Sequence, residues 1–250
     1  MDFYDSLAET YDDMTGFEAR MAGARAFVSG FLEWHGMHSV IDVACGTGLY
    51  AMAFAQAGVP QVAGVDLSAA MLAAARRRAE SLGLNVRWLP ARMEKLDGTC
   101  LAPADGIVCL GNSIPHLLTE RALQSALRAF HKRLNPNGLL ALQLLNYERV
   151  MKRAERIVEI NRAGDREFVR FYDLPSRPGG KLVFNVLRIE WTADGPRHTL
   201  DATVLKPYTV CELRKSLESC GFRNVQVYGG VRFQPYERDD SETVLLTAER

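Results

Sequence analysis

Short apolar runs alternate along this chain with stretches of helical period. A helix is predicted over about 18–35, with apolar Ala22, Ala26, Val28, Phe31 and Leu32. Val40, Ile41 and Val43 then read as a buried strand, and Gly46 and Gly48 as a tight turn. Residues 49–55 begin a second helix, closed by Gly58 and Pro60. Val62-Ala63-Gly64-Val65 forms a second strand ending in Asp66, and Ser68 is a candidate N-cap for a helix over 69–82 that stops at Gly83. Residues 86–89 and 106–110 supply a third and a fourth strand. A helix over 121–134 and an Asn135-Pro136-Asn137-Gly138 turn lead into a fifth, 139–145. This alternation predicts an α/β fold with a doubly wound, mostly parallel sheet.

The pattern changes after Asn146. Strand-like runs at 167–172, 181–191 and 198–205 are separated by turn-rich segments at 175–180 and 193–196. The middle run alternates Leu182, Phe184 and Val186 with polar residues, as a half-buried antiparallel strand does. A small antiparallel β sub-domain is therefore expected, inserted before a helix over 210–219 (N-cap Thr209) and two final strands, 225–228 and 243–248.

Thirty basic and thirty acidic residues cancel, which argues against nucleic acid or an anionic membrane as partner. The Arg76-Arg77-Arg78 run reads as a solvated helix face. Five scattered cysteines with no C-x-x-C suit a reducing compartment and suggest no metal site. Without a signal-like N-terminus or an apolar run near the roughly 20 residues of a membrane span, a cytoplasmic protein is expected.

Strand, glycine turn and helix start together make a nucleotide-type site. Glycines let a ligand touch the backbone, and free N–H groups at a helix start attract anions. Ala44, Gly46 and Gly48 place small residues at every second position, and Asp66 ends the next strand, where a carboxylate accepts from ribose hydroxyls. Met71 at helical spacing fits an adenine cover or simple core. Asn112 sits at the end of the fourth strand, where a crevice should hold ligands.

Taken together, these residues resemble the class I methyltransferases that use S-adenosylmethionine, and among them glycine N-methyltransferase. The similar stretches are Asp42-Val43-Ala44-Cys45-Gly46-Thr47-Gly48, then Val65-Asp66-Leu67-Ser68 with Met71-Leu72, then Val108-Cys109-Leu110-Gly111-Asn112-Ser113 with His116-Leu117. Asn146-Tyr147 and Pro207-Tyr208 match more loosely. The resemblance implies a Rossmann-like, doubly wound, mostly parallel seven-stranded sheet with the small inserted antiparallel sub-domain. It divides the chain into an N-terminal lid and helix (1–36), a cofactor-binding core (37–147), an inserted substrate sub-domain (148–208) and a C-terminal part of the core sheet (209–250).

The resemblance also implies site roles. Cofactor contacts fall on Arg20, Asp42, Ala44, Gly46, Gly48, Asp66, Leu67, Met71, Arg92, Met93 and Leu110. Arg20 is matched to the methionine carboxylate, which a guanidinium fork suits. Asn112, His116 and Tyr208 are the catalytic candidates, and Tyr11, Asn112, Leu145 and Tyr172 line the acceptor. His116 reads equally as a structural histidine, and each tyrosine equally as ordinary packing. No metal is implied.

Two positions depart from the family pattern. Ala91-Arg92-Met93 stands where relatives carry an adenine acceptor, and arginine has none. Leu145 stands where the resembled enzyme has an arginine for the amino-acid carboxylate, and leucine cannot pair with a buried charge. Unless Arg149 or Arg170 substitutes, glycine should be a poor substrate. The expected reaction is methyl transfer to a small-molecule amine lacking an obligatory carboxylate, such as an amino sugar, with S-adenosylhomocysteine as product. Small-molecule O-methyl transfer and non-catalytic cofactor binding are the alternatives; a nicotinamide-dependent dehydrogenase fits the glycine pattern poorly. Self-association is left open.

Overall fold

The computed structural model describes residues 3–33, 36–177 and 179–250. The expected helix end at Trp34 and His35, the first two residues, and Pro178 of the 175–180 turn lie outside them. Three helices precede the first strand: α1 (Phe3–Leu7), α2 (Tyr11–Thr15) and α3 (Phe17–Glu33). The alternating core follows as β1 (Ser39–Val43), α4 (Leu49–Gln56), β2 (Gln61–Asp66), α5 (Ala69–Ser81), β3 (Arg87–Pro90), β4 (Ala104–Cys109), α6 (Glu120–Arg133) and β5 (Leu134–Leu145). Next come α7 (Tyr147–Arg153), β6 (Ile157–Ala163), β7 (Arg166–Asp173), β8 (Leu182–Thr192) and β9 (Gly195–Leu205), and the chain closes with α8 (Val210–Ser219), β10 (Arg223–Tyr228) and β11 (Thr243–Glu249).

The larger sheet has seven strands in the order β10-β11-β5-β4-β1-β2-β3. β1 pairs in parallel with β2 and β4, β2 with β3, and β4 with β5; β11 runs antiparallel to both β5 and β10. Strand order therefore reverses between β1 and β4, and a crevice opens there beyond the strand ends. Alternate residues of each strand feed opposite faces. Ile41, Val43 and Leu246 pack with α6 and α8, while Val40, Val62 and Leu245 pack with α3 and α4. Burial on both faces explains why these strands read as continuous apolar runs.

Two glycines are fixed by close packing. Gly48 has φ +87°, and a Cβ on it would stand 2.6 Å from the Trp88 ring; a Cβ on Gly64 would meet the same indole. Trp88 thus lies flat across the turn and the middle of β2. At the C-terminal end, Thr209 and Glu212 form a reciprocal capping box that starts α8, an arrangement worth about 1 kcal/mol.

The second sheet is antiparallel, in the order β6-β7-β8-β9. It has four strands where three were expected, because β6 carries a register shift between Ile157 and Glu159 that breaks its alternation. The helix α7 was not anticipated; Asn146 caps it by accepting from the Arg149 N–H. β5 begins at Leu134, so the Asn135–Gly138 turn lies within an irregular strand whose register with β4 shifts. Phe168 and Val186 pack inward on Leu7 and Met14, tying α1 and α2 to this sheet. Among the described residues no helix is long and apolar enough to cross a membrane.

Candidate active site

The loop after β1 turns through left-handed conformations at Ala44 (φ +56°), Gly46 (φ +55°) and Gly48. Asp66, ending the adjacent strand, holds it: Oδ2 accepts from the Gly46 N–H at 2.8 Å and Oδ1 from the Ser68 N–H at 2.9 Å. Asp66 therefore joins the two loops and lines the crevice. Asp42 lies beneath, fully buried, accepting the Ala51 N–H at 3.0 Å. Desolvation pushes its carboxyl up to about 8, with the Ala51 bond opposing and the nearby Asp66 charge reinforcing the rise.

A cavity of about 170 Å³ opens on this loop. Ala44, Gly46, Asp66, Leu67, Met71, Arg92 and Met93 line it, together with Glu94, Gly111 and His116. Most of the expected cofactor residues thus meet around one space. Asp42, Gly48 and Leu110 do not, and Arg20 lines the adjoining cleft instead. Asp42 and Gly48 support the loop from below, and Leu110 is buried in the core with its carbonyl accepting from the Ser113 hydroxyl. Glu94 is the residue that sequence reasoning missed. Arg92 pairs with it at 3.1 Å, so a carboxylate stands in the wall where Arg92 itself offers no acceptor.

A second, more open cleft of about 720 Å³ adjoins the first. Arg20, Asn112, Leu145, Arg170 and Tyr172 line it, and Tyr4, Tyr11, Gly111 and His116 line both spaces. Gly111 and Asn112 both have positive φ (+74° and +69°), which swings the chain sharply off β4. The Asn112 amide is held at three points. Its Oδ1 accepts from the Leu145 N–H at 3.0 Å and from the Tyr147 hydroxyl at 3.0 Å, and its Nδ2 lies 2.8 Å from that same hydroxyl. Gln143 Oε1 accepts from the Gly111 N–H at 2.7 Å. Burial raises the Tyr147 hydroxyl far above the ordinary tyrosine value and pushes Tyr172 up to about 12, so both stay protonated donors near neutrality.

Arg20 rises from the first turn of α3, its guanidinium 4.0 Å from where a Cβ on Gly111 would stand. The N-terminal helices close over both spaces. The Tyr4 hydroxyl lies 2.7 Å from His116 Nε2, and Asp12 accepts from the Thr47 hydroxyl at 2.6 Å. Arg78 is also corrected: the residue expected to be solvated pairs with Asp12 at 2.5 Å and stacks 3.7 Å over the Phe17 ring. Tyr208 requires correction too. Its ring is buried away from both spaces and its hydroxyl donates to the Leu117 carbonyl, so it braces the segment after His116.

Of the two cations offered in place of the missing arginine, Arg149 turns away to Glu155 at 3.1 Å. Arg170 stays in the open cleft, mostly buried and ion-paired with Glu159, and its Nε has no hydrogen-bond partner. Burial lowers its pKa.

Comparison with known proteins agrees with this geometry. Residues 40–138 match the family model for a methyltransferase domain. A glycine/sarcosine N-methyltransferase of Parasynechococcus marenigrum (strain WH8102) is 32% identical over 151 residues, 60% of this chain and 53% of that protein. The match thus spans about half of that relative. The Aphanothece halophytica glycine/sarcosine N-methyltransferase is 25% identical over 100% of this chain and 90% of its own. Among solved structures, an S-adenosylmethionine-dependent methyltransferase from Clostridium acetobutylicum superposes with a TM-score of 0.82 at 15% identity, covering 99% of each chain. The CcbJ methyltransferase from Streptomyces caelestis gives 0.80 at 19%, covering 98% and 96%. Residues 40–138 thus match a methyltransferase domain, and the fold is like that of the S-adenosylmethionine-dependent methyltransferases on which the chain superposes. In sequence it is similar to glycine/sarcosine N-methyltransferases.

Proposed function

We propose that the chain moves a methyl group from S-adenosylmethionine to a small amine by in-line displacement. One observation carries this reading: the loop-bound cavity and the open cleft share a wall made by Tyr4, Tyr11, Gly111 and His116. A donor on one side and an acceptor on the other meet at that wall.

The bound cofactor supplies an electrophilic sulfonium methyl. The chain's own residues do the rest. Asp66 is placed to receive the ribose hydroxyls, Met71 gives apolar cover, and Glu94 provides the acceptor that Arg92 lacks. Arg20, above Gly111, suits the amino-acid carboxylate of the cofactor. The tyrosines at the shared wall and Asn112 in the cleft would hold a neutral acceptor nitrogen facing the cofactor side, leaving its proton to pass to water after transfer. Rate comes from holding the partners close and aligned. The oxygen-lined rim of the tyrosines and the Asn112 amide holds the acceptor's polar groups.

The acceptor is a small amine with no obligatory carboxylate, because Leu145 offers no charge and Arg170 is already neutralised by Glu159. A second reading, a carboxylate-bearing amine, is favoured by the unpartnered Arg170 Nε and by the names of the glycine/sarcosine relatives. The deciding assay measures S-adenosylhomocysteine release with glycine, with sarcosine and with an amino sugar. Stimulation by the amino sugar alone supports the first reading, and stimulation by glycine the second. Cofactor binding with no stimulation by any amine refutes the enzyme in favour of a cofactor-binding protein.

A further inference from the structure

β5 sends Gln143 to the same face of the sheet as Leu139 and Ala141, toward α3 and α4. Leu145 is the next residue on that face, and Leu245 of β11 pairs beside Gln143. Gln143 lines the open cleft although only 8% of it is exposed. It grips the chain that leaves β4 at two points. Its carbonyl accepts from the Asn112 N–H at 3.2 Å, and its Oε1 from the Gly111 N–H at 2.7 Å.

The second bond fixes the amide. Only an oxygen accepts from the Gly111 N–H, so the other head is the Nε2 donor. Among the described residues Nε2 has no hydrogen-bond partner. A buried donor left unpaired is costly, and folded proteins keep few of them. Gly111 lines both the cofactor cavity and the open cleft, whereas Gln143 lines the cleft and not the cavity. The donor therefore stands on the acceptor side, beside the wall the methyl group must cross.

We propose that Gln143 Nε2 donates to an uncharged oxygen of the acceptor, close to the amine that is methylated. This rests on the reading above, methyl transfer to a small amine, and it narrows the substrate class. The lone pair of the amine must point at the methyl carbon, so a donor bonded to it would block transfer. Gln143 must take a different atom. A carboxylate would bury a charge against a neutral amide. A hydroxyl, an ether or an amide carbonyl fits, carried on the carbon next to the one that bears nitrogen. The acceptor is then a vicinal amino alcohol or its ether, or an α-amino amide. An amine of the same size without that oxygen would leave Nε2 buried and unpaired, and a site built around a hydrogen bond rejects the analogue that lacks it.

The test compares kcat/KM, read from S-adenosylhomocysteine release, for two matched pairs of amines: 2-methoxyethylamine against n-butylamine, and glycinamide against isobutylamine. Each pair is run with the wild type, Gln143→Met and Gln143→Glu. The methionine removes both heads of the amide at similar volume. The glutamate keeps an oxygen for the Gly111 N–H and removes only the donor. A loosened site slows both members of a pair alike, and their difference in basicity is the same for every protein, so neither changes the ratio between proteins. The expected result is an advantage of the oxygen-bearing amine that falls at least about tenfold in both variants. Equal ratios in all three proteins overturn the proposal and leave methyl transfer to amines standing. Unchanged ratios with weakened S-adenosylhomocysteine binding also overturn it, since the amide then serves the cofactor. Turnover of none of the four amines by cofactor-bound wild type overturns the proposal and the reading beneath it together.

Discussion

Asp12 accepts a hydrogen bond from the Thr47 hydroxyl at 2.6 Å, joining a helix at the start of the chain to the cofactor loop. Its other carboxylate oxygen meets Arg78 on α5. One side chain therefore links α2, the loop after β1 and α5. The contacts are polar and partly solvated, so each contributes modestly to stability. Asp12→Ala should lower the melting temperature little while speeding cofactor dissociation roughly 3- to 10-fold, on the order of 1 kcal/mol for the lost hydrogen bond. Stopped-flow displacement of S-adenosylhomocysteine measures this; an unchanged dissociation rate would show that the lid does not close on the ligand.

Asp66 is placed to do two jobs with one carboxylate. It accepts from the Gly46 and Ser68 N–H groups, and on the proposed reading it also receives the ribose hydroxyls. Asp66→Asn replaces one acceptor oxygen by a donor facing one of those N–H groups. Loss of a charged hydrogen bond of about 1.5–3 kcal/mol predicts cofactor affinity weaker by roughly 10- to 150-fold in isothermal titration. Arg20→Ala should weaken affinity with little loss of fold, since the Arg20 side chain sits at the cleft and not in the core. An unaltered titration for either variant would remove that residue from the cofactor site.

Asp42 makes folding sensitive to pH. Its carboxyl stands at about 8 in the folded chain against an ordinary value of 3.8. A raised acid takes up a proton on folding, so its contribution is most favourable below the unfolded value and declines as pH rises toward 8. The slope is at most about 1.4 kcal/mol per pH unit. Asp42→Asn keeps an oxygen for the Ala51 N–H but cannot ionise. Relative to this variant, the wild type should lose melting temperature steadily from about pH 5 to about pH 8 and level off above it. Parallel melting curves for the two proteins across that window would contradict the assignment.

The core sheet was legible because its signal is local. Val40, Ile41 and Val43 are apolar on both faces of one strand, and the Gly46–Gly48 turn and Asp66 follow at fixed distances in the chain. Ser68 and Thr209 cap the helices assigned to them. What escaped is non-local or irregular. β6 is broken by a register shift and mixes Glu159 and Arg162 with its isoleucines, so its period was hidden. Tyr208 stood beside a family motif, yet only tertiary packing shows its hydroxyl turned to the Leu117 carbonyl. Glu94 lies two residues past Arg92 in a short 3-10 turn, and nothing in the chain before folding sets it against the cavity. The bridge from Asp12 to Thr47 spans 35 positions and carries no pattern at all.

Leu145 and Arg170 line the same cleft, and between them they decide whether a carboxylate is welcome. Leu145 offers no partner, and an unpaired buried charge is costly. Arg170 offers one, but Glu159 already faces it, and an acceptor carboxylate would have to displace Glu159 or settle for the unpartnered Nε. Glycine should therefore bind weakly to the wild type. Leu145→Arg adds a free guanidinium and should lower the glycine KM at least about tenfold, the effect of one charge-assisted hydrogen bond. Arg170→Leu should leave turnover of a carboxylate-free amine near the wild-type rate. Should glycine instead drive the wild type and fail with Arg170→Leu, then Arg170 is the carboxylate partner and the cleft selects amino acids from a different strand than Leu145.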